Sequence, residues 1–325
     1  MHSIDSGDGK DTGAASTGAR SPEITITQLR YFVRSSELRS MSKAAASLYV
    51  AQSAISTSIA NLERNLGTQL FVRHRAKGLS MTAEGVTYLA HVRGVLQALE
   101  DANLSVDPTR MVGSYEVGCF PTLVPFWMPS AIQVMRERYP ELQTKIREVR
   151  DDEIADRILN REVEIVLSYD FAPNAELDFL PIASAPPYAV VAADHQLAES
   201  GSTTLGELAS TTPFILLDMA GSSRYFRDLL EAAGRPVKAA YRLDNYEAVR
   251  AMVARGHGFT ILHQQPQHPY TYDGFETRSL RLETTLPPLR VGLVCRARQG
   301  LTRKGASFAE VCREIAEERG ARSGA

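Results

Sequence analysis

The chain has 325 residues, 44% hydrophobic and 23% charged, with a formal net charge of −2. This is an ordinary globular composition, long enough for two or three domains, and no apolar run approaches the roughly 18 residues a membrane span needs. Three cysteines without close spacing (Cys119, Cys295 and Cys312) favour neither a disulfide framework nor a zinc site, so the cytoplasm is the expected compartment.

Residues 1–22 are rich in Gly, Ser, Asp and Thr and lack an apolar core, so they are expected to be a disordered tail and not a signal peptide. Between Glu23 and Gly85 eight basic residues face four acidic ones. The small N-terminal region is therefore basic and the remainder acidic, as in a nucleic-acid module joined to something else. Thr27 is expected to cap a first helix with Leu29, Phe32 and Val33 on one stripe, and Ser42 a second, short helix containing Ala45, Ala46 and Leu48. A third helix follows Ala51, with Ile55, Ile59, Leu62 and Leu66 facing inward and Gly67 ending it.

The opposite face of that third helix carries Gln52, Ser53, Ser56, Thr57 and Ala60. A merely solvated face would favour Glu and Lys, which are better helix formers than Ser and Thr. Short hydrogen-bonding side chains instead suit a helix pressed into the major groove, and two helices joined by a tight turn make a helix-turn-helix. Phe71-Val72-Arg73 and Leu79-Ser80-Met81 then form a hairpin from which Arg73, His74, Arg75 and Lys77 project, suited to phosphate.

The pattern Ala44-Ala45, Leu48, Gln52-Ser53-Ala54, Ser56, Ile59, Leu62-Glu63, Leu66-Gly67, Leu70-Phe71, Arg73, Thr82 and Gly85 resembles the winged helix-turn-helix of LysR-type transcriptional regulators. The resemblance covers residues 24–86. It implies that Gln52, Ser53, Ala54 and Thr57 face bases of double-stranded DNA and that Ser42, Ser56 and Arg73 lie near phosphates, where Arg75 and Lys77 are also expected. One departure is Ala51, where the family often has a capping Ser or Thr; losing a cap typically costs about 1 kcal/mol.

Thr82 is expected to cap a linker helix running to about Ser105, some 36 Å at 1.5 Å per residue. Leu89, Val92, Leu96 and Leu99 follow 3-4-3 spacing, a narrow seam that fits a partner helix, although packing against the adjacent domain has the same period. The family resemblance implies paired linker helices, a dimer or dimer of dimers, two half-sites of an inverted repeat, and RNA polymerase as the activation partner.

Beyond Pro108, strand patterns alternate with helical ones, which means α/β with largely parallel sheets. The fold class expected for the whole chain is therefore α/β: an N-terminal all-α winged helix-turn-helix over 23–81, a linker helix over 82–107, and an effector domain over 110–325. By resemblance this last part is a two-subdomain Rossmann-like unit similar to type 2 periplasmic binding proteins. Subdomain I takes 112–184 plus 287–325 and subdomain II takes 185–286, with hinges near Ala185-Pro186-Pro187 and Pro287-Pro288.

Ligands of such folds bind outside the carboxyl ends of strands, at helix N-termini. That rule selects the segments Phe120–Leu123, Tyr169-Asp170, Gly221–Arg224, Asn245-Tyr246 and His263-Gln264, and within them Phe120, Thr122, Tyr169, Ser222, Arg224, Asn245 and His263 as effector-binding, with a helix cap or turn as the plainer role for each but Thr122. The mixture is compatible with a small organic or aromatic acid. No GxGxxG, Walker loop, HExxH or CxxC is present, so no catalytic residue, metal or cofactor is expected. Peroxide-sensing members of the resembling family use a cysteine pair in subdomain II, and residues 185–286 contain no cysteine.

Overall fold

The structure, a computed structural model, describes residues 23–74, 78–106, 111–171, 174–219, 222–232, 238–283 and 288–323. The expected tail over 1–22, Arg75, Lys77, Pro287 and the side chain of Arg224 lie outside the described residues. Two compact units divide between Val92 and Arg93, and no helix among the described residues is long and apolar enough to cross a membrane.

Unit 1 contains helices α1 (Ile26–Leu38), α2 (Met41–Leu48) and α3 (Gln52–Leu66), strands β1 (Phe71–His74) and β2 (Gly78–Met81), and the start of helix α4 (Ala83–Val106). Two expected caps are displaced. Thr25, not Thr27, caps α1: the Gln28 N–H donates to Thr25 Oγ1 at 3.2 Å and the Thr25 N–H to Gln28 Oε1 at 2.8 Å. This reciprocal pair satisfies two helix-end donors, which Thr27, with Arg30 three residues on, would not. Likewise Ser40 caps α2 by accepting from the Lys43 N–H, which places Ser42 inside the helix. Ala51 does precede α3 without a side-chain cap, and Gly67 ends it at φ 68°.

Phe32, Ile55, Ile59 and Leu62 are fully buried and form the small core of this unit, whereas Leu66 is only partly covered. The Phe32 ring meets Phe71 and Tyr88 at centroid distances of 5.3 and 5.5 Å. β1 and β2 pair antiparallel, from Phe71 opposite Met81 to His74 opposite Gly78. The hairpin is fastened at both ends. Glu63 Oε1 accepts from the Leu70 and Phe71 N–H groups at 2.8 and 3.1 Å, and the Leu79 N–H donates to the Arg39 carbonyl at 3.1 Å. Thr82 Oγ1 accepts from the Gly85 N–H at 2.9 Å and so caps α4. A Cβ on Gly85 would stand 2.2 Å from the Leu70 carbonyl oxygen, which is why no larger residue fits there.

Unit 2 holds a five-stranded sheet in the order β4-β3-β5-β13-β6, with β3 (Gly113–Cys119), β4 (Leu142–Glu148), β5 (Ile165–Tyr169), β6 (Leu177–Ala185) and β13 (Leu289–Arg296). A four-stranded sheet runs β11-β7-β12-β8, with β7 (Tyr188–Ala192), β8 (Ser202–Thr203), β11 (Thr260–Leu262) and β12 (Thr277–Leu282). The parallel pair β9 (Phe214–Leu217) and β10 (Ala239–Leu243) extends it through a bridge between Phe214 and Phe259.

The helices of unit 2 are the rest of α4, then α5 (Val124–Arg138), α6 (Asp151–Leu159), α7 (Leu205–Thr211), α8 (Ser222–Ala232), α9 (Tyr246–Ala254) and α10 (Arg303–Ser323). The expectation of largely parallel sheets holds for β3, β4 and β5, for β9 with β10 and for β8 with β12, but fails where β13 lies antiparallel to both β5 and β6, and β7 antiparallel to both β11 and β12. β6 and β13 are the strands that leave and re-enter the first sheet, so they run opposite ways side by side, Ala185 facing Leu289. One buried apolar cluster runs through both sheets, from Val117, Leu167 and Leu293 to Val190, Leu217 and Leu262.

Candidate nucleic-acid interface and ligand cleft

Gln52, Ser53, Ala54 and Thr57 are all exposed on one side of α3, while Ile55 and Ile59 on the other side are fully buried. Helix periodicity and core packing together turn this short polar face outward. Gln52 is not loose: its Oε1 accepts from the Ser42 hydroxyl at 2.9 Å, so the turn between α2 and α3 orients the amide. Ser56 is half-buried, and Arg73 on β1 donates to its hydroxyl at 3.4 Å, placing a guanidinium beside the helix. Tyr49, which sequence reasoning passed over, ends α2 in the left-handed region at φ 56° and is 96% exposed. An exposed aromatic in a conformation that disfavours bulky side chains is unusual, and it adjoins the polar face in sequence.

On α4 the four seam residues separate. Leu89 and Val92 are buried at 6% and 2% exposure, so the chain's own residues already cover them, whereas a partner helix needs them open. Intrachain and interchain packing impose the same spacing, so periodicity alone does not separate them. Leu96 and Leu99 are partly exposed, and Val95 is 49% exposed. This second half of α4 is tied into unit 2: Arg93 donates to the Asn160 carbonyl at 3.0 Å, and the buried Lys304 ammonium meets Glu100 at 2.6 Å.

In unit 2 a cavity of about 30 Å³ lies between the two sheets. Phe120, Thr122, Tyr169, Ser222 and His263 all line it, although they come from four separate places in the chain. Asn245 does not: its Oδ1 accepts from the Ala248 N–H at 2.9 Å and caps α9, the plainer role. Ser222 lines the wall with a hydroxyl already spent locally, donating to the Met219 carbonyl at 2.8 Å and accepting from the Met219 N–H at 3.2 Å.

Tyr246 and Gln264, selected beside Asn245 and His263, also line it, whereas the sequence reading did not single out Phe171, Leu217, Met219 or Phe226. Nothing local marks these four as cavity rather than core.

The polar groups of the cavity are neutral. Thr122 Oγ1 approaches the Tyr169 hydroxyl at 3.4 Å, a long contact for two hydroxyls. Burial pushes the Tyr169 phenol well up, and the Tyr246 phenol up to about 12. His263 sits against Tyr225, Phe226 and Tyr169 with ring centroids at 5.1, 5.9 and 6.3 Å, and loss of solvation pushes it down to about 3. Its Nε2 lies 2.9 Å from the Tyr225 hydroxyl. With that phenol also held protonated by burial, the imidazole tautomer sets which of the two groups donates.

The start of α5 is also less open than helix geometry suggests. The Leu123 N–H donates to the Phe120 carbonyl at 2.9 Å, the Val124 N–H to the Pro121 carbonyl at 3.3 Å, and Pro125 has none.

Residues 26–86 match the family model described as a bacterial regulatory helix-turn-helix protein of the lysR family, and residues 109–317 match the LysR substrate binding domain. The chain is 29% identical over 258 residues to an uncharacterized HTH-type transcriptional regulator, YvbU of Bacillus subtilis, covering 76% of this chain and 87% of that protein. It is also 29% identical over 284 residues to a probable hydrogen peroxide-inducible genes activator of Mycobacterium avium, covering 85% and 89%. Among solved structures, HinK, a LysR family transcriptional regulator from Pseudomonas aeruginosa, is 29% identical with a TM-score of 0.61, covering 90% of this chain and 99% of that one.

Proposed function

Because the chain belongs to the LysR family of bacterial transcriptional regulators, we propose that it reads an inverted-repeat DNA site with the exposed face of α3 and changes transcription when a small molecule enters the cleft of unit 2. As a LysR-type regulator it has a DNA-binding domain and an effector-binding domain and is not an enzyme.

The observation that carries the DNA reading is the outward face of Gln52, Ser53, Ala54 and Thr57, with the Gln52 amide held by Ser42. A Gln amide both donates to and accepts from adenine, and a Thr methyl or Ala packs on the thymine methyl. Ser42, Ser56 and Arg73, with Arg75 and Lys77, would serve phosphate, which positions without reading sequence. A gel-shift series over salt tests this on the chain's own promoter region and on random DNA. Preference for the promoter that survives rising salt is expected, and equal binding to both at every salt concentration would remove base reading from α3.

Self-association, as a dimer or dimer of dimers, is assigned to the second half of α4, where Val95, Leu96 and Leu99 remain open or partly open. Replacing Leu96 and Leu99 with Asp should shrink the assembly in sedimentation; an unchanged oligomer would give the stripe to packing within the chain. RNA polymerase as a partner, and action in the cytoplasm, belong to the same reading. A thiol-based peroxide sensor is disfavoured. Cys119, Cys295 and Cys312 are buried and free, and burial raises all three thiols, Cys312 to about 12, away from the reactive thiolate.

A further inference from the structure

We propose that the cleft of unit 2 takes an uncharged, mostly apolar molecule of about single-ring size with one hydroxyl or carbonyl group, and discriminates against carboxylates. This rests on the reading of the cleft as the effector site. Among the described residues, none that lines the cavity carries a formally charged side chain. Its lining is rich in rings: Phe120, Tyr169 and Phe171 stand 5.3 to 5.6 Å apart, and His263 packs against Tyr169, Tyr225 and Phe226. A flat apolar body between such faces gains contact area and edge-to-face geometry.

A carboxylate would find only neutral donors, the Thr122 and Tyr169 hydroxyls and the Gln264 amide, and the amide already engages Tyr169. The Leu123 and Val124 N–H groups are donated within the chain, Pro125 offers none, and the Ser222 hydroxyl and N–H are both occupied by Met219. His263 is neutral, so it supplies no positive charge. The ion pair of Asp170 with Arg290, at 2.5 Å, borders a separate groove, so its guanidinium is already neutralised. Burying a charge without a hydrogen-bonded counter-charge is far costlier than burying a single hydroxyl.

That hydroxyl has a place to go. The long 3.4 Å approach of Thr122 Oγ1 to the Tyr169 hydroxyl leaves both able to accept a better-placed partner. A cavity of about 30 Å³ is too small for a ring, since benzene occupies an engineered cavity of about 150 Å³. Binding must therefore part the two sheets, with Pro186-Pro187 after β6 and Pro288 before β13 at the joints. A ligand that needs the wider arrangement biases the chain toward it.

The test uses the full chain and matched probes: benzyl alcohol against benzoate, and cyclohexanol against cyclohexanecarboxylate, by calorimetry and thermal shift at neutral pH. The alcohols are expected to bind saturably and about tenfold or more tighter than the acids. An acid that binds as well as its alcohol overturns the proposal. If that acid binding then disappears in Arg224→Gln, the cation responsible is identified as well. Failure of all four probes to bind also overturns it.

The site reading is tested separately by filling the cavity with Met219→Trp and, as a second choice should that variant melt early, Thr122→Leu. Alcohol binding that persists unchanged in a well-folded filled variant places the ligand elsewhere and sinks the cleft reading itself.

Discussion

The face of α3 draws Gln52, Ser53, Ala54 and Thr57 from one turn and a half of helix. The cleft draws Phe120, Tyr169, Leu217, Tyr246 and His263 from residues more than a hundred positions apart. The first surface is polar and open, with its amide fixed by a neighbour ten residues away. The second is apolar and nearly closed, with its hydroxyls and imidazole held neutral by burial. A surface meant for a hydrated polyanion needs only a rigid helix and a correct stripe behind it. A pocket meant for a small ligand needs two sheets brought together, and their packing, more than any single residue, sets its chemistry.

The largest effect should come from the tightest backbone approach in each unit. Gly85→Ala would place a Cβ 2.2 Å from the Leu70 carbonyl, and Gly258→Ala one 2.3 Å from the Pro213 carbonyl at φ 158°. Each should cost about 3 kcal/mol in its own unit. Calorimetry with operator binding as a second readout checks this: Gly85→Ala should abolish DNA binding, while Gly258→Ala should lower the melting of unit 2. Loss of both functions in either variant would break the separation.

Next comes pH. His263 is depressed to about 3 from an ordinary value near 6.5, so the unfolded state takes up a proton in a range where the folded state does not. The stability it contributes is present above about pH 6.5 and is lost as pH falls toward 3, at up to about 1.4 kcal/mol per unit, or roughly 2 kcal/mol by pH 5. Melting of unit 2 should fall between pH 7 and 5, and less so in His263→Gln. Identical pH slopes in the two proteins would mean that the imidazole is hydrated and not held neutral.

Base reading is smaller. Gln52→Ala should cost about 1.5 kcal/mol, roughly tenfold, on the operator and little on random DNA, whereas Arg73→Ala should weaken both and flatten the salt dependence. Competition gel shifts at two salt concentrations decide it, and equal losses for Gln52→Ala on both DNAs would take it off the reading face.

The smallest effect concerns the caps. Asn245→Ala should cost about 1 kcal/mol of unit 2 stability with ligand affinity unchanged, because its side chain serves α9 and not the cavity. Ala51→Ser should add a few tenths to about 1 kcal/mol to unit 1 by supplying the cap that α3 lacks. A changed ligand affinity in Asn245→Ala would return that residue to the cleft.

Much of unit 1 was legible in the sequence, because its determinants are local. Ile55, Ile59 and Leu62 repeat at helical spacing, Gly67 stops the helix, and Phe71 and Leu79 mark the hairpin. The displaced α1 cap was legible too, since Thr25 precedes Gln28 by the capping-box interval, but Thr27, two residues on, competed for the assignment. In unit 2 most strands and helices followed their hydrophobic periods. Four elements escaped: β6, interrupted by Pro181; β8, only two residues long; β12, whose two arginines dilute its pattern; and α7, a short helix of about two turns.

The sequence by itself determined the reading helix, the wing, the linker and the alternation of strands and helices, because each depends on contacts between residues close along the chain. Only the tertiary structure decided that Leu89 and Val92 are covered, that β13 returns antiparallel between β5 and β6, and that Asn245 turns away while Phe171, Met219 and Phe226 join Thr122 around one cavity. It also decided the charge state of that cavity, because the protonation of His263 depends on which rings surround it and how much water they exclude. Burial and pocket chemistry are sums over residues distant in sequence, and no local pattern carries such a sum.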